Sequence, residues 1–249
     1  QPDNGPRIER IRHDLKRRTL KVLRTDYLTP AMIRIVFGGD DLADFPSAAP
    51  DDHVKIFIPT PAGETEMRDY TPRHFDRAAK TLVVDFAVHE AGPATRWALD
   101  ARPGDTLQIG GPKGSAIISG VTNWLLVGDE TALPAIGRRI EEADPYARIT
   151  MVAAVAGPEE EQSFESGAQL SLYWAHRPLA QATDAAPLLA ILDNVVLEPG
   201  TFAWIAAEAS VARAVRTYLV AERHHPLSWT KAAGYWLQGK ADAHEKLDA

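Results

Sequence analysis

Cysteine is absent from this chain of 249 residues, and its absence excludes whole classes of chemistry. Without thiols the protein has no disulfides, no thiolate zinc site, no cysteine-ligated iron–sulfur cluster and no cysteine nucleophile. Any redox chemistry must therefore be carried by an organic cofactor, or take place on a metal that is a substrate.

A positive net charge and long apolar runs are missing as well. The 27 basic and 34 acidic side chains give a net charge of −7, which disfavours a surface that follows a nucleic-acid backbone. No apolar run approaches the ~20 residues of a membrane span, and the first residues, QPDNGPRIER, show no apolar core of a signal peptide. We therefore expect a cytoplasmic protein that binds neither nucleic acid nor membrane, and we expect a monomer.

The eight histidines include no pair four residues apart, so they offer no helical face with two metal ligands. We predict no metal site.

The first half of the chain alternates short apolar runs with Asp, Gly and Pro. Closely spaced short strands are typical of a β-sandwich or barrel. One helix is predicted to begin at Pro93, which suits a first helical position, and to end before Arg102. The predicted strands lie at residues 20–28, 31–37, 53–59, 66–71, 81–88, 105–111 and 115–119.

After Gly120 the hydrophobic period changes. Strand-like runs now alternate with helical spacing at 131–143 and 211–223, which indicates a parallel α/β sheet. The apolar runs of this half lie at residues 123–129, 149–156, 170–175, 187–195 and 201–207. We therefore predict two domains: an antiparallel β-barrel at 1–120 and a parallel-sheet α/β nucleotide-binding domain at 121–249. A cleft between them would let two ligands meet.

The stretch RDYTPRHF at 68–75 crowds charge and an aromatic ring at the end of a predicted strand. Residues i and i+2 share a face, so Arg68 and Tyr70 project together while Thr71 opposes them, and Pro72 ends the ladder. A flavin nucleotide needs such a pair, because its ring stacks on aromatics and its pyrophosphate pairs with guanidinium groups. From spacing alone, however, an ordinary edge strand with exposed charges is the favoured interpretation.

A second stretch, HEAGPATRW at 89–97, predicts a helix start. Free backbone N–H groups there bind anions without a basic side chain. Gly92 permits close approach and Thr95 adds a hydroxyl. An ordinary well-started helix explains the pattern equally well, and His89 is either a surface histidine or a ring contact.

Taken together, the motifs resemble the siderophore-interacting protein family. RDYTPR, VDFAVHEAGPATRWA, GPKGS, VGDETALPAI and GYW occur in the family's order over roughly residues 17–240. The resemblance implies a flavin-dependent ferric-siderophore reductase of the ferredoxin-reductase-like superfamily. It implies a flavin-binding β-barrel that holds FAD, and NAD(P)H as the electron donor at the α/β domain.

The resemblance also implies roles for individual residues. Arg68 is expected to pair with the FAD pyrophosphate, while Tyr70 holds the ring and Thr71 tunes it; the last two are the predicted catalytic residues. The other expected FAD contacts are Asp85, Phe86, Val88 and His89 on one strand, Gly92, Ala94, Thr95 and Trp97 at the helix start, Asp129 and Thr131 near the adenine, and Tyr235 and Trp236 after the last strand.

The sequence GDETALP is not a dinucleotide fingerprint. Asp129 and Glu130 precede a helix and would repel a pyrophosphate placed there, so ordinary Rossmann binding is not expected. Arg177 is our candidate for a nicotinamide-nucleotide phosphate contact and Glu208 for the nicotinamide side. A solvated loop charge and a helix-start charge are equally good interpretations of these two residues.

Lys55, on the strand before RDYT, is the candidate for attracting an anionic ferric siderophore if its side chain faces the open side of the flavin ring. Otherwise it is a charge that protects a strand edge.

We therefore predict an FAD-dependent reductase that passes electrons from NAD(P)H through flavin to Fe(III) in a siderophore, releasing iron in the cytoplasm. Two alternatives stay open: a flavin reductase serving a ferredoxin or an oxygenase, and a siderophore carrier with structural FAD. The siderophore, the choice among NADH, NADPH and ferredoxin, and the roles of Arg73, His74 and the tail are left unassigned.

Overall fold

In the computed structural model, which describes residues 5–88, 92–240 and 245–247, apolar and polar side chains alternate along many strands of the first half. The chain forms two compact units: Glu9–Ile117, and Ile118–Ala249 with Gln1–Ile8. None of the helices in the described ranges is long and apolar enough to cross a membrane.

The described part of the first half is an antiparallel β structure with one α-helix. A seven-stranded sheet has the order β5-β4-β8-β2-β3-β7-β6, and β1 pairs with β9 in a separate two-stranded sheet. The elements are β1 (Arg7–Arg12), β2 (Arg17–Thr29), β3 (Met32–Gly38), β4 (Val54–Pro59), β5 (Thr65–Tyr70), β6 (His74–Asp76), β7 (Thr81–Ala87), α1 (Pro93–Asp100), β8 (Thr106–Gly110) and β9 (Gly114–Ser119).

The core of this unit lies on one face of the long sheet. Five fully buried side chains pack there in one apolar cluster: Val54, Ile56, Leu82, Val84 and Phe86. Their spacing of two along β4 and β7 follows the strand period, which turns alternate side chains to the same face. The predicted antiparallel β domain is confirmed. Among the described residues, no hydrogen-bonded pairing joins the terminal strands β5 and β6.

The second half is a parallel sheet covered by helices. The strand order is β12-β11-β10-β13-β14-β15, parallel except for the short β15. The elements are β10 (Asn123–Gly128), α2 (Leu133–Glu141), β11 (Arg148–Val155), β12 (Gln169–His176), α3 (Ala186–Leu192), β13 (Thr201–Glu208), α4 (Ala209–Thr217), β14 (Thr230–Trp236) and β15 (Glu245–Lys246). The predicted parallel α/β domain is confirmed.

Alternate residues of β10 face helices on opposite sides of the sheet. Leu125 and Val127 pack in the cluster that contains residues of α3 and α4. Gly128 faces α2, where an added β-carbon would lie 2.8 Å from the Ala132 Cβ and 2.8 Å from the Ala206 carbonyl oxygen. Only glycine lets the start of α2 approach β10 this closely. Because β10, β11, β12 and β13 run parallel, the first residues after β10, β12 and β13 lie along one edge of the sheet.

The structure corrects the prediction for the C-terminal region. GYW was expected after the last strand, but Gly234–Trp236 form the end of β14, which pairs in parallel with β13. The strand was missed because Thr230–Trp236 follows no clear alternation. Strands β1 and β6 were also missed: RIERIR is mostly charged, and HFD is only three residues long.

Candidate functional site

Three of the sequence motifs meet through their aromatic rings. The Tyr70 ring, at the end of β5, lies 4.5 Å from the ring of Phe86 on β7. Phe86 lies 6.2 Å from Trp97 of α1, which in turn stacks on Phe37 of β3 at 6.1 Å. Because Phe86 is fully buried, it ties RDYT, VDFAV and GPATRW into one assembly. Val88 also packs against this core.

The prediction that Arg68 and Tyr70 share a face of their strand is confirmed. Arg68 pairs across the ladder with Ile56 and Tyr70 with Val54, two residues of the buried face of β4. The Arg68 guanidinium donates to Glu66 Oε2 at 2.7 Å and is 18% exposed. Since β5 is the terminal strand of its sheet, an aromatic ring and a cation lie together at a sheet edge.

The segment that follows Tyr70 is buried along its whole length. Thr71 and Arg73 are 8% and 5% exposed, and Pro72 between them is also buried. The Arg73 backbone N–H donates to the Val83 carbonyl at 2.9 Å, which extends the pairing of β6 with β7 by one residue. Burial raises the pKa of the Tyr70 phenol, although the nearby Arg68 charge opposes this. The Tyr70 ring is therefore neutral in any ordinary buffer.

The start of α1 is suited to an anion. Ala94 and Thr95 in its first turn are buried, and Gly92 stands at the cap position. Within the described part of the chain no side chain caps this helix start, so its first N–H groups are available to a phosphate. The predicted contact His89 lies outside the described residues.

Asp85 contacts two arginines, and its expected contact with FAD stays a prediction. Its carboxylate, 3% exposed, accepts from Arg34 Nε at 2.7 Å and Arg34 Nη2 at 2.8 Å. Arg73 Nε lies 3.8 Å from the second oxygen. Asp85 lies between Val84 and Phe86, whose side chains face the core, so its own side chain projects from the opposite face of β7. These contacts assign Asp85 to an ion cluster on the strand face opposite the Tyr70–Phe86 rings.

Arg34 and Arg73 are the residues that sequence reasoning missed. Arg34 interrupts the apolar run MIRIVF. A charged residue inside such a run indicates a buried partner of opposite charge. The partner was not predictable, because Asp85, which lies opposite Arg34 in the ladder of β3 and β7, is 51 positions away in the sequence.

Lys55 lies on the opposite face of β4 from the residues that pair with Arg68 and Tyr70. Its Nζ contacts Asp69 Oδ1 at 2.8 Å, and it is 41% exposed. The side chain is therefore a paired charge beside the edge strand, and its role toward a ferric siderophore stays a prediction.

A second group of polar contacts lies at the C-terminal edge of the parallel sheet. The Asp129 carboxylate, 2% exposed, accepts from the Thr131 N–H at 3.0 Å and the Thr131 hydroxyl at 2.5 Å. Its other oxygen accepts from the Glu208 N–H at 2.8 Å and from Trp236 Nε1 at 2.9 Å. The motifs GDET and GYW are thus joined by a direct hydrogen bond.

Arg177 is engaged by Glu130 in a buried ion pair. Its terminal nitrogens donate to the two Glu130 carboxylate oxygens at 2.5 and 2.7 Å. Burial alone would lower the pKa of the Arg177 guanidinium, but the Glu130 hydrogen bonds and charge, with that of Asp129, raise it. A phosphate contact by Arg177 stays a prediction and would require this pair to open.

Glu208 caps α4 with its own side chain. Its carboxylate accepts from the Ser210 N–H at 2.8 Å, from the Val211 N–H at 3.2 Å and from the Ser210 hydroxyl. A phosphate therefore finds no free helix start here, in contrast with α1. Nearby, Tyr235 packs edge-on against Trp204 at 6.1 Å.

The residues of the first unit fit a flavin nucleotide. The half-buried Tyr70 ring can stack on a flat ring, Arg68 supplies a guanidinium on the same face, and the start of α1 supplies backbone donors. A flavin ring requires a stacking surface, and its pyrophosphate requires a cation and backbone N–H donors.

Comparison with known proteins agrees with this fit. Residues 21–67 and 62–116 match the family described as "Siderophore-interacting FAD-binding domain", and residues 121–239 match the one described as "Siderophore-interacting protein". The FAD-binding match includes the whole of β5 and α1.

Relatives that align along most of their own length extend the comparison. The chain is 33% identical to the NADPH-dependent ferric-chelate reductase of Escherichia coli, covering 94% of this chain and 98% of the relative. It is 27% identical to the ferric vibriobactin reductase ViuB of Vibrio cholerae, over 90% of each. A siderophore utilization protein from T. fusca, known as a crystal structure, superposes with a TM-score of 0.88 at 34% identity, over 95% of this chain and 98% of the other.

Both family matches, and a relative one third identical along almost its entire length, lead to one conclusion: the chain belongs to the siderophore-interacting protein family.

Proposed function

We propose that the protein is an FAD-dependent ferric-siderophore reductase that takes electrons from NADPH. The observation that carries this proposal is the assembly of Tyr70, Arg68 and the α1 start inside the segment that matches the family's FAD-binding domain. The names of the relatives from Escherichia coli and Vibrio cholerae support the acceptor class, and the former supports NADPH as the donor.

In this proposal the protein's own residues hold and orient the cofactor. Tyr70 offers its ring face, Thr71 a buried hydroxyl beside it, and Arg68 a guanidinium for the pyrophosphate. FAD, when bound, supplies the conversion of a two-electron donor into one-electron transfers. Hard oxygen chelators bind ferrous iron poorly, so reduction releases the metal.

The finer points are proposals too. Residues 1–120 would hold FAD and residues 121–249 the donor nucleotide. We propose that the protein acts as a monomer in the cytoplasm, where NADPH is regenerated, and that NADPH rather than a ferredoxin is its usual donor.

The test is an anaerobic stopped-flow experiment in two stages. FAD-loaded protein is mixed with NADPH, NADH or reduced ferredoxin, and flavin bleaching is followed. Ferric catecholate and hydroxamate siderophores are then added, with reoxidation and a ferrous-iron indicator as readouts. We expect bleaching by NADPH, followed by reoxidation and stoichiometric ferrous iron.

Other outcomes assign the alternatives. Bleaching only by ferredoxin, or reoxidation only by a protein acceptor, would identify a reductase component serving a protein partner. A flavin that no donor bleaches would identify a carrier with structural FAD. A protein that binds no FAD contradicts the proposal outright. Size-exclusion chromatography with light scattering tests the monomer.

A further inference from the structure

The indole of Trp236 reaches across a strand to a buried carboxylate. Trp236 ends β14 and Asp129 follows β10, while β13 lies between these two strands in the sheet. Trp236 Nε1 donates to Asp129 Oδ2 at 2.9 Å. The indole therefore lies over the C-terminal end of β13, at the edge where parallel α/β sheets bind their ligands.

Asp129 holds this ring in a fixed orientation. Both of its oxygens are fully used: one accepts twice from Thr131, the other from the Glu208 N–H and from Trp236. A carboxylate with four donors cannot rotate without losing several hydrogen bonds. Losing a buried hydrogen bond costs more free energy than losing an exposed one, because no water replaces the partner. The Trp236 side chain itself stays half-buried, so an oriented aromatic ring is present at the ligand edge.

The charges around the ring favour a cation and disfavour phosphate. Asp129 places one carboxylate beside the ring, and Glu208 places a second at the start of α4. Glu130 is neutralised by Arg177. The first N–H groups of α4 are already capped by Glu208, so this helix start offers no free donors to a phosphate. What suits this edge is a flat ring with positive charge, since such a ring gains both stacking and cation–π attraction on an indole.

We propose that Trp236, oriented by Asp129, is the stacking surface for the nicotinamide ring of the donor nucleotide. The nicotinamide ring is flat and cationic in NADP⁺, the oxidised product of the donor, whereas adenine is neutral and the phosphates are anionic. The phosphates accordingly lie away from the capped start of α4. This inference rests on the proposed function, because it assumes that a nicotinamide nucleotide is the donor. It reassigns Trp236 from a flavin contact to a donor contact, with Asp129 as its positioning residue.

The test compares three probes on FAD-loaded protein. NADP⁺ carries both rings, 1-methylnicotinamide carries only the cationic ring, and adenosine 2′,5′-bisphosphate carries only the adenine end. Calorimetry gives the affinities, and saturation-transfer NMR shows which ring protons contact the protein. We expect Trp236→Leu to weaken NADP⁺ roughly threefold to thirtyfold and to remove the nicotinamide signals. The affinity for adenosine 2′,5′-bisphosphate should not change.

Two further variants separate stacking from folding. Trp236→Phe keeps a ring but no donor to Asp129, so its NADP⁺ affinity should lie between wild type and Trp236→Leu. Asp129→Asn places an amide where four donors converge, so it should weaken NADP⁺ while the indole stays present. Melting temperatures of every variant are measured alongside, and binding is compared only below the lowest transition.

The proposal is overturned if Trp236→Leu binds NADP⁺ as wild type does, or if it loses affinity for FAD or adenosine 2′,5′-bisphosphate instead. The second result would return Trp236 to the flavin or adenine side. Ferric-chelate reduction by the wild-type protein is measured separately, with its bound flavin reduced chemically by dithionite. Absence of iron reduction in that measurement contradicts the proposed function, whereas an unchanged NADP⁺ affinity of Trp236→Leu contradicts only the stacking proposal.

Discussion

Arg177 and Glu130 form a bidentate ion pair in which both partners are buried. The two hydrogen bonds measure 2.5 and 2.7 Å, and the side chains are 3% and 10% exposed. Glu130 follows β10 and Arg177 follows β12, two strands that are not neighbours in the sheet. The pair therefore spans the end of β11 and ties three strands of one edge together.

Breaking this pair from one side should be costly. We expect Arg177→Met to lower the free energy of unfolding by about 3–5 kcal/mol, because it leaves a buried carboxylate unpaired. The double variant Glu130→Leu with Arg177→Met should recover most of this loss. Urea unfolding of wild type, the single variants Arg177→Met and Glu130→Leu, and the double variant measures the coupling.

The matched control is the exposed pair Arg213–Glu245, whose nitrogen and oxygen lie 2.6 Å apart with side chains 51% and 46% exposed. Arg213→Ala should change stability by no more than ~1 kcal/mol. If Arg177→Met lowers the free energy of unfolding as little as the control does, the buried pair does not stabilise the fold. If it also weakens NADP⁺ without a stability loss, Arg177 is a nucleotide contact.

Tyr70 should control FAD affinity through its ring. Stacking of an aromatic side chain on a flat heterocycle is worth about 1–3 kcal/mol, so Tyr70→Ala should weaken FAD roughly fivefold to a hundredfold. Tyr70→Phe should keep most of the affinity. Titration of apoprotein with FAD, followed by flavin fluorescence, measures both. Tyr27→Ala is the control, because that ring is 65% exposed on β2; an equal effect there would contradict the stacking role.

Asp85 should act on stability rather than on the cofactor. Asp85→Asn removes the charge that lies between Arg34 and Arg73, and we expect a loss of about 3 kcal/mol in the free energy of unfolding. Below the melting transition, FAD affinity and the flavin spectrum should not change. The exposed pair Arg24–Asp26 provides the control Asp26→Asn, with an effect of ~1 kcal/mol at most. A fall in FAD affinity with unchanged stability would instead support the expected contact of Asp85 with FAD.

His225 should make stability depend on pH near neutrality. Burial lowers the pKa of its imidazole, and the hydrogen bond to the Trp229 carbonyl at 3.2 Å only partly offsets this. The unfolded chain therefore binds a proton more readily than the folded one, so stability is highest above the ordinary pKa of histidine and falls as the pH decreases through it. The melting temperature should fall as the pH is lowered from 8 to 5, and His225→Gln should reduce this dependence of melting temperature on pH. A wild-type slope in the variant would assign the dependence to another group.

Local patterns predicted much of the fold. The change of apolar spacing near Gly120 separated the β half from the α/β half, because period two and period 3.6 are set by the backbone of each element. The same rule placed Arg68 and Tyr70 on one face of β5. It failed for β6, which is too short to show a period, and for β14, where Ala232 and Gly234 leave little contrast between faces.

The partners of charged residues were not predictable in this way. Asp129 was expected near FAD adenine and Glu130 was read as repelling phosphate, yet one holds Trp236 and the other Arg177. These partners lie 107 and 47 positions away in the chain. Which one a carboxylate meets depends on strand order, and no local signal encodes that order.

The sequence by itself determined the two halves, their strand and helix character, and the geometry of RDYT, since each follows from short-range backbone periodicity. Only the tertiary structure decided that Phe86 joins Tyr70 to Trp97, that Arg34 neutralises Asp85, and that Trp236 lies over the end of β13. The reason is physical: a buried ring or charge is stabilised by whichever group the packing of distant strands brings within contact, and that packing belongs to the whole chain.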